Sequence, residues 1–226
     1  MNLRPDHFVR VSDIDPGIRI ALRYCSDENF MGRQVPGYIR PIAYLTEKTA
    51  ILLSKAQKKF NEQGYDIVIY DTYRPLKACQ AFKQWSMDPQ DQQRKADYYP
   101  GVNKADLFDL GFIASKSRHC CGIAVDMTII EKDKSLFQNV VKQERKFADG
   151  TQVIYLDDNT LDMGIHFDFF GEVSFTQDKT ISEAAQKNRQ FLVEVMSSCG
   201  FENYRKEWWH FQIDTQHLDY YDFDVA

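Results

Sequence analysis

Two short segments that lie far apart in the chain each combine a histidine with an acid. The first reads Ser-Arg-His-Cys-Cys-Gly-Ile-Ala-Val-Asp at residues 117–126, and the second reads Glu-Trp-Trp-His at residues 207–210. The chain has only five histidines, and two of them, His119 and His210, lie in these segments. Either segment alone is weak evidence, but the two together favour a fold that brings them to one place.

The first segment leads into a predicted strand. Residues 123–128 alternate large apolar side chains with small or polar ones, which is the period of a half-buried strand and puts Asp126 on the less apolar face. Gly122 suits a turn or bulge because it has no Cβ. Such a turn would bring His119 back over the face that carries Asp126.

The second segment shows the same alternation over residues 208–213, with His210 on the face away from the aliphatic side chains. Glu207 precedes this strand, and we expect it in a turn from which its carboxylate can rotate toward a metal. Two imidazoles and one carboxylate suit a catalytic zinc site that keeps its fourth position open for water. The two segments therefore predict a zinc hydrolase site, with His119, Asp126 and His210 as ligands and Glu207 as the acceptor of a proton from that water.

With these motifs the chain resembles the zinc D-alanyl-D-alanine dipeptidases, the enzymes known from vancomycin-resistance clusters and their bacterial relatives. The family pattern Ser-x-His-x-x-Gly-x-Ala-x-Asp is met at every fixed position of residues 117–126, and the Glu-Trp-Trp-His ending is met as well. The similarity extends over residues 15–224. Further matching segments are 71–75, 84–85, 98–100, 114–117, 163–164, 167–168 and 200–201.

The resemblance implies hydrolysis of the dipeptide D-Ala-D-Ala, so that the expected partner is a small D,D-dipeptide, and it implies one Zn²⁺ per chain. The implied zinc ligands are His119, Asp126 and His210. The implied catalytic residues are Glu207, as general acid and base, and Arg74, which stabilises the transition state. The implied substrate-binding residues are Asp168 and Tyr24 near the amine and Ser117 near the carboxylate, together with Tyr38 and Asp71.

The residues around Arg74 support its role independently. Arg74 follows an apolar run at 67–70, a predicted strand, and precedes Pro75, which suits the first turn of a helix at 76–82. Spacing alone favours a surface arginine. The strand would nevertheless deliver Arg74 to the edge of a sheet, where Asp71 could orient it through a charge-assisted hydrogen bond.

Asp168 lies among the phenylalanines at positions 167, 169 and 170. It could be an ordinary loop acid, but a carboxylate in such surroundings is costly without a cation, and a substrate ammonium would supply one. The nearby His166 is tempting as a fourth ligand. We expect it not to be one, because a fourth protein ligand would close the position that water needs.

The chain departs from the vancomycin-resistance enzymes in two places. It is longer between Asp126 and Asp168, where the charged run Lys-Gln-Glu-Arg-Lys at 142–146 has no clear counterpart; we interpret this run as a solvated helix face. Cys120 and Cys121 replace the small polar or basic residues expected after the ligand histidine. The five cysteines form no regular framework and predict free thiols, and a Cys-rich zinc site is disfavoured because no Cys-x-x-Cys pair occurs.

Composition narrows the classes of function. With 226 residues, 43% hydrophobic and 14% aromatic, the chain can bury one sizeable core, and we expect a single domain over residues 1–226. A net charge of −5 and the lack of a large Lys/Arg cluster argue against a nucleic-acid partner. No apolar stretch predicts a membrane span or signal peptide, so the chain as it stands is expected to be cytoplasmic, or periplasmic if a leader was removed. The sequence is compatible with a homo-oligomer.

The expected fold class is α+β, with a central antiparallel sheet, helices packed mainly on one side and the zinc site in a cleft. A polar, proline-containing region at 85–108 is expected to be a long surface loop that borders the cleft. The predicted helices are 46–60 and 182–199, each followed by a glycine stop, and the predicted strands are 65–70, 123–130, 152–156 and 208–213.

Two other functions compete with the dipeptidase. One is a D,D-carboxypeptidase or endopeptidase that acts on peptidoglycan stems, since the zinc site is shared across the wider superfamily. The other is a non-catalytic zinc-binding module. The presence of both Glu207 and Arg74 argues against the module, because metal binding alone needs neither residue.

Overall fold

The computed structural model describes residues 3–215 and 218–226. The strands within these residues are β1 (Phe8–Arg10), β2 (Arg19–Ile20), β3 (Tyr44–Thr46), β4 (Tyr65–Asp71), β5 (Ala124–Glu131), β6 (Val141–Lys146), β7 (Gln152–Asp157), β8 (Glu202–Asn203) and β9 (His210–Gln212). The α-helices are α1 (Val11–Ile14), α2 (Glu47–Glu62), α3 (Leu76–Met87), α4 (Lys95–Tyr98) and α5 (Glu183–Ser198). This mixture of helices and strands confirms the predicted α+β class.

A five-stranded sheet in the order β2-β4-β5-β9-β8 forms the centre of the fold. The pairs β4 with β5, β5 with β9, and β8 with β9 are antiparallel, whereas the short edge strand β2 runs parallel to β4. Two smaller antiparallel pairs, β1 with β3 and β6 with β7, complete the strands. The predicted central sheet is therefore confirmed, and its one parallel pair lies at the edge.

The helix α2 follows from its capping residues and its apolar side. The hydroxyl of Thr46 accepts a hydrogen bond from the backbone N–H of Thr49 at 3.4 Å, and Gly64, with φ 85°, lets the chain reverse after the last turn. The side of α2 that includes Phe60 is buried against β4, and Phe60 meets Phe191 of α5 edge to face at 5.6 Å. The two long helices thus pack together.

The helix α5 is capped by Ser182, whose hydroxyl accepts from the N–H of Ala185 at 3.2 Å. Its most deeply buried charged residue is Arg189, which is 1% exposed. The Arg189 guanidinium donates to three backbone carbonyls, at 2.7, 2.7 and 2.9 Å, in the segment 163–175. Arg189 therefore ties α5 to the chain that carries Asp168.

The charged run at 142–146 is largely exposed, as predicted, but it forms a strand, so the predicted helix is wrong. Residues 141–146 pair with residues 152–157 in a hairpin, and the more apolar partner strand β7 supplies its buried side. Lys142 Nζ binds both carboxylate oxygens of the buried Asp97 at 2.8 and 2.9 Å, and the Arg145 guanidinium stacks on the Tyr155 ring at 3.6 Å. These long-range contacts override the helix propensity of the run.

Two other expectations need correction. The strand β5 is buried on both faces from Ala124 to Ile130 rather than half-buried, because the structure covers the face that carries Asp126 as well. The region 85–108 is more ordered than a surface loop: it includes the end of α3 and all of α4, and Tyr98, Tyr99 and Lys104 are buried within it. None of the helices in the described part of the chain is long and apolar enough to cross a membrane.

Candidate active site

The central sheet lines up three polar residues in one row across neighbouring strands. Asp71, the last residue of β4, is opposite Asp126 of β5, and Asp126 is in turn opposite His210, the first residue of β9. Strand register therefore brings residues from three distant parts of the chain to one point. Each of the three is buried in the folded protein.

His119 reaches this row from a 3₁₀ turn at Arg118–Cys121. Ser117 caps the turn by accepting from the His119 N–H at 3.3 Å. Gly122 ends the turn in the left-handed region, with φ 68° and ψ 25°. A Cβ at that position would lie 2.2 Å from Phe8 Cε1, so both the backbone conformation and the space require glycine. The turn proposed from the sequence is present.

Three side-chain atoms converge at this point. His119 Nε2 lies 3.1 Å from His210 Nδ1 and 3.2 Å from Asp126 Oδ1, and His210 Nδ1 lies 3.0 Å from Asp126 Oδ1. In the described residues, these three form the one cluster of His, Cys, Asp or Glu groups with the spacing of a metal site. The predicted ligand residues are thus brought together.

The second nitrogen of each imidazole indicates where its proton lies. His119 Nδ1 is 2.6 Å from the carbonyl oxygen of Thr72, which can only accept, so this nitrogen carries the proton and Nε2 carries a lone pair. His210 Nε2 is 3.3 Å from Gln212 Oε1, and with this oxygen as the acceptor the proton lies on Nε2 and a lone pair on Nδ1. Two nitrogen lone pairs and a carboxylate oxygen therefore face one another, an arrangement that calls for a cation.

The geometry suits zinc. Tetrahedral zinc sites with N and O ligands at about 2.0–2.1 Å have ligand atoms about 3.3–3.4 Å apart. The three separations of 3.1, 3.2 and 3.0 Å are close to one face of such a tetrahedron. Burial opposes ionisation of Asp126, but His119 and His210 in their protonated forms would donate hydrogen bonds to it and hold the pKa of Asp126 below its ordinary value, so the carboxylate stays ionised when positive charge lies between the three ligand atoms. The donor set is therefore ready to bind a divalent cation.

Glu207 lies in the turn before β9, as expected from the sequence, and its carboxylate is 3.9 Å from His210 Nδ1. Its side chain is 14% exposed. Burial, and then the negative charge of Asp126, raise the pKa of Glu207 well above its ordinary value. A carboxyl group with a raised pKa beside a metal site is suited to accept and return a proton.

Arg74 is fixed by two carboxylates and two rings. Its Nε donates to Asp71 Oδ2 at 2.9 Å and its Nη2 to Asp126 Oδ2 at 3.3 Å. The guanidinium carbon lies 5.3 Å from the ring centres of both Tyr24 and Phe82. Arg74 is thus held beside the metal-ligand cluster in a fixed orientation, and the predicted Asp71 contact is present.

Asp168 is buried, 6% exposed, and its backbone has φ 63°, a conformation that residues other than glycine seldom adopt. The Tyr24 hydroxyl donates to Asp168 Oδ2 at 2.8 Å. Burial, and then the charge of Asp126, raise the pKa of Asp168 well above its ordinary value. Among residues 3–215 and 218–226 no Lys, Arg or His forms an ion pair with this carboxyl group, and together with the unusual backbone this favours a functional role over a packing role.

These groups line one cleft with a volume of about 260 Å³. Tyr38 and Asp71 lie outside its lining: the Tyr38 hydroxyl donates to Asp71 Oδ1 at 2.6 Å, behind Arg74. The residues singled out from the sequence that do line the cleft are Tyr24, Arg74, Ser117, His119, Asp126, Asp168, Glu207 and His210.

Sequence reasoning missed two groups that act on the histidines. Gln212 is two residues after His210 on the same face of β9, so strand periodicity could have identified it. The Thr72 carbonyl that binds His119 belongs to the backbone and leaves no signal in the residue type. His166 is elsewhere: its Nδ1 accepts from the Leu156 N–H at 3.3 Å, and burial lowers its pKa to about 3.

All five cysteines are free thiols, as predicted. Cys79 of α3 and Cys120 face each other with their sulfur atoms 3.4 Å apart, and both are buried. Cys120 therefore points toward α3, and neither it nor Cys121 is part of the metal-ligand cluster.

Comparisons with known proteins identify the family of the chain. The family described as peptidase M15, D-Ala-D-Ala dipeptidase, matches residues 4–141 and 138–226. The chain is 30% identical to a D-alanyl-D-alanine dipeptidase of Streptomyces coelicolor and 32% identical to one of Enterococcus faecalis, in each case over 97% of this chain and 98% of the relative. It is 31% identical to one of Enterococcus faecium, over 96% of this chain and 98% of the relative. The chain thus belongs to the M15 family of D-Ala-D-Ala dipeptidases and is a metallopeptidase.

Proposed function

We propose that this protein hydrolyses the dipeptide D-Ala-D-Ala with one zinc ion held by His119 Nε2, Asp126 Oδ1 and His210 Nδ1. The observation that carries the proposal is the convergence of three acceptor atoms, 3.0–3.2 Å apart, beside Glu207 and Arg74. Zinc, when bound, supplies a Lewis acid that acidifies water and polarises the scissile carbonyl. The remaining chemistry belongs to the side chains of the cleft.

Glu207 moves the proton in this mechanism. Its carboxylate accepts a proton from the attacking water, and the resulting carboxylic acid donates that proton to the departing amine. Because burial favours the neutral acid, the proton is held inside the cleft between the two steps. Only a group within reach of both the water and the scissile nitrogen can do this, and the 3.9 Å contact with His210 supports that position.

Arg74 stabilises the negative oxygen of the tetrahedral transition state. A guanidinium has five N–H groups, and its hydrogen bonds to Asp71 and Asp126 use two of them, so others can reach the substrate. We assign Asp71 and Tyr38 to positioning Arg74 rather than to contact with the substrate, because both lie outside the lining of the cleft. A fixed guanidinium needs no reorganisation as charge develops.

Asp168 and Tyr24 bind the free amine of the substrate. The ammonium would form an ion pair with the buried carboxylate of Asp168, and this ion pair would lower the raised pKa of Asp168. Ser117 lies on the other segment of the lining, and its hydroxyl can donate to the substrate carboxylate. These contacts would require both termini of the dipeptide to be free.

The similarity to D-Ala-D-Ala dipeptidases over nearly the whole chain favours a dipeptide over a peptidoglycan stem. The cleft, with a volume of about 260 Å³, has room for a dipeptide. A D,D-carboxypeptidase or endopeptidase remains the competing function, since it would use the same zinc chemistry. A non-catalytic zinc module is disfavoured, because Glu207 and Arg74 both lie half-buried beside the ligand cluster, where catalysis needs them and metal binding does not.

The test is an assay of the zinc-loaded protein on D-Ala-D-Ala, L-Ala-L-Ala and a stem pentapeptide. We expect turnover of the D,D-dipeptide alone. The variant Glu207→Gln, which keeps the shape of the side chain, should lose a factor of about 10²–10⁴ in kcat while it retains zinc. The matched control is Glu194→Gln on the exposed side of α5, which should behave as the wild type.

Three outcomes would contradict parts of the proposal. Turnover of the stem without turnover of the dipeptide would replace the dipeptidase by a carboxypeptidase. Full activity of Glu207→Gln would exclude the proton transfer proposed for this residue. If His210 is a zinc ligand, His210→Ala should contain well below one zinc ion per chain. An unchanged zinc content would exclude His210 as a ligand.

A further inference from the structure

Three positively charged side chains line the cleft, and two of them interact with other side chains of the protein. Arg74 binds Asp71 and Asp126. Lys116 is exposed, and its ammonium lies over the Tyr220 ring at 5.0 Å from the ring centre. The third cation is Arg118, the residue directly before His119 in the 3₁₀ turn.

Arg118 has an unsatisfied buried donor. Its Nη1 is shielded from solvent and has no hydrogen-bond partner among residues 3–215 and 218–226. The carboxylate that it approaches, Asp214 Oδ1, is 3.9 Å away, beyond hydrogen-bond distance, on a side chain that is 76% exposed. An arginine nitrogen that is buried without an acceptor costs free energy unless a ligand supplies one. Because Arg118 also lines the cleft, a ligand bound there is one source of such an acceptor.

We propose that Arg118 binds the free carboxylate of the substrate and makes that carboxylate a requirement for hydrolysis. This inference rests on the proposed dipeptidase function. Asp168 binds the amine at one end of the substrate, and Arg118 would be the charged partner of the carboxylate at the other end. The geometry of a planar guanidinium matches a carboxylate, and Ser117, the preceding residue, contributes a hydroxyl to the same end of the substrate.

The size of a dipeptide supports this assignment. One residue spans at most about 3.6 Å, so the carboxylate that follows the scissile bond must lie close to the metal ligands. Arg118 is adjacent to His119 in the chain and lines the same cleft, and it therefore satisfies this condition. A requirement for a carboxylate here excludes substrates that continue beyond this residue, so it disfavours an endopeptidase while it admits any substrate that ends at this point.

The experiment compares D-Ala-D-Ala with its C-terminal amide, D-alanyl-D-alaninamide, which has the same scissile bond and no carboxylate. The wild-type protein should prefer the acid. Arg118→Gln should lower kcat/KM for the acid by about 10- to 100-fold, mainly through KM, because a charge-assisted hydrogen bond is lost. Arg118→Gln should change kcat/KM for the amide far less, so the preference of the enzyme for the acid over the amide should largely disappear. Arg118→Lys keeps the charge without the planar fork and should retain part of the preference.

Lys116→Gln is the matched control, because it removes a cation from the same wall and should preserve the preference for the acid. Zinc content and thermal unfolding of each variant distinguish loss of recognition from damage to the adjacent metal site. An equal loss on acid and amide in Arg118→Gln, or loss of the preference in Lys116→Gln instead, would overturn the inference and leave the dipeptidase function standing. A wild-type protein inactive on D-Ala-D-Ala would overturn the proposed function itself.

Discussion

Replacement of Gly122 by alanine is expected to be much more destabilising than the same change at another glycine with a positive φ. The left-handed backbone, with φ 68°, costs a residue that has a Cβ about 1–2 kcal/mol. The new Cβ would also lie 2.2 Å from Phe8 Cε1 and 2.7 Å from Phe8 Cζ. Phe8 is fully buried and meets Tyr73 and Phe223 edge to face at 5.2 and 5.1 Å, so its ring has little room to move.

Overpacking of such a core site adds about 1–3 kcal/mol, which brings the expected cost of Gly122→Ala to about 2–5 kcal/mol. The matched control is Gly64→Ala, where φ is 85° but no atom lies within 4 Å of the added Cβ, so only the backbone cost should remain. Urea denaturation of both variants without metal measures the free energy of unfolding. Phe8→Leu, made in the Gly122→Ala background, should recover part of the loss, since the shorter side chain relieves the clash.

Equal costs for the two glycine variants would refute the reasoning about Phe8, and the absence of any coupling between positions 8 and 122 would refute it independently. The zinc affinity of Gly122→Ala provides a further measurement. Because the turn that Gly122 ends also carries His119, we expect zinc to bind more weakly to this variant than to Gly64→Ala, even after the difference in stability is taken into account.

Three further predictions concern buried ionisable residues. Asp71→Asn should lower kcat by about 10- to 100-fold with a smaller change in KM, because Arg74 loses its orienting charge; an unchanged kcat would contradict the positioning role. Arg189→Met should lower the free energy of unfolding in urea by about 3 kcal/mol or more, because three buried carbonyls lose their donor; a loss under about 1 kcal/mol would contradict this. Burial lowers the pKa of His166 from 6.5 to about 3. Between these pH values the unfolded chain binds more protons than the folded protein, so the free energy of unfolding falls as the pH decreases through this range. Between about pH 7 and about pH 5 this contribution amounts to about 2 kcal/mol, and urea denaturation of His166→Gln should show a pH dependence that is shallower by that amount.

The elements that were predicted correctly from the sequence are those with local signals. Thr46 and Ser182 mark the starts of the two long helices through their capping hydroxyls, and glycines follow both ends. An apolar run also predicted β4, alternation of apolar residues predicted β5 and β9, and the predicted strand at 152–156 corresponds to β7. Strand periodicity placed Asp126 and His210 on the faces that the structure brings together, and the glycine turn accounted for His119.

The expectations that failed depend on contacts between distant residues. The hairpin strand at 141–146 is held by the ion pair of Lys142 with Asp97 and by the stacking of Arg145 on the Tyr155 ring. Neither contact leaves a pattern within the run itself. Burial of both faces of β5 depends on how the rest of the chain covers the sheet. The different surroundings of Arg118 and Lys116, two similar cations in one segment, depend on tertiary packing and could not be read from the spacing.

The row of Asp71, Asp126 and His210 across three strands has a consequence for folding. Because successive side chains of a strand point to opposite faces, a slip of one residue between β5 and β9 would separate Asp126 from His210, and a slip between β4 and β5 would separate Asp126 from Asp71, which orients Arg74. Zinc should therefore bind only after the sheet has reached its native register, late in folding, and should not template early local structure. The kinetics of zinc uptake during refolding would then report correct strand registration, with misregistered intermediates unable to compete for the ion.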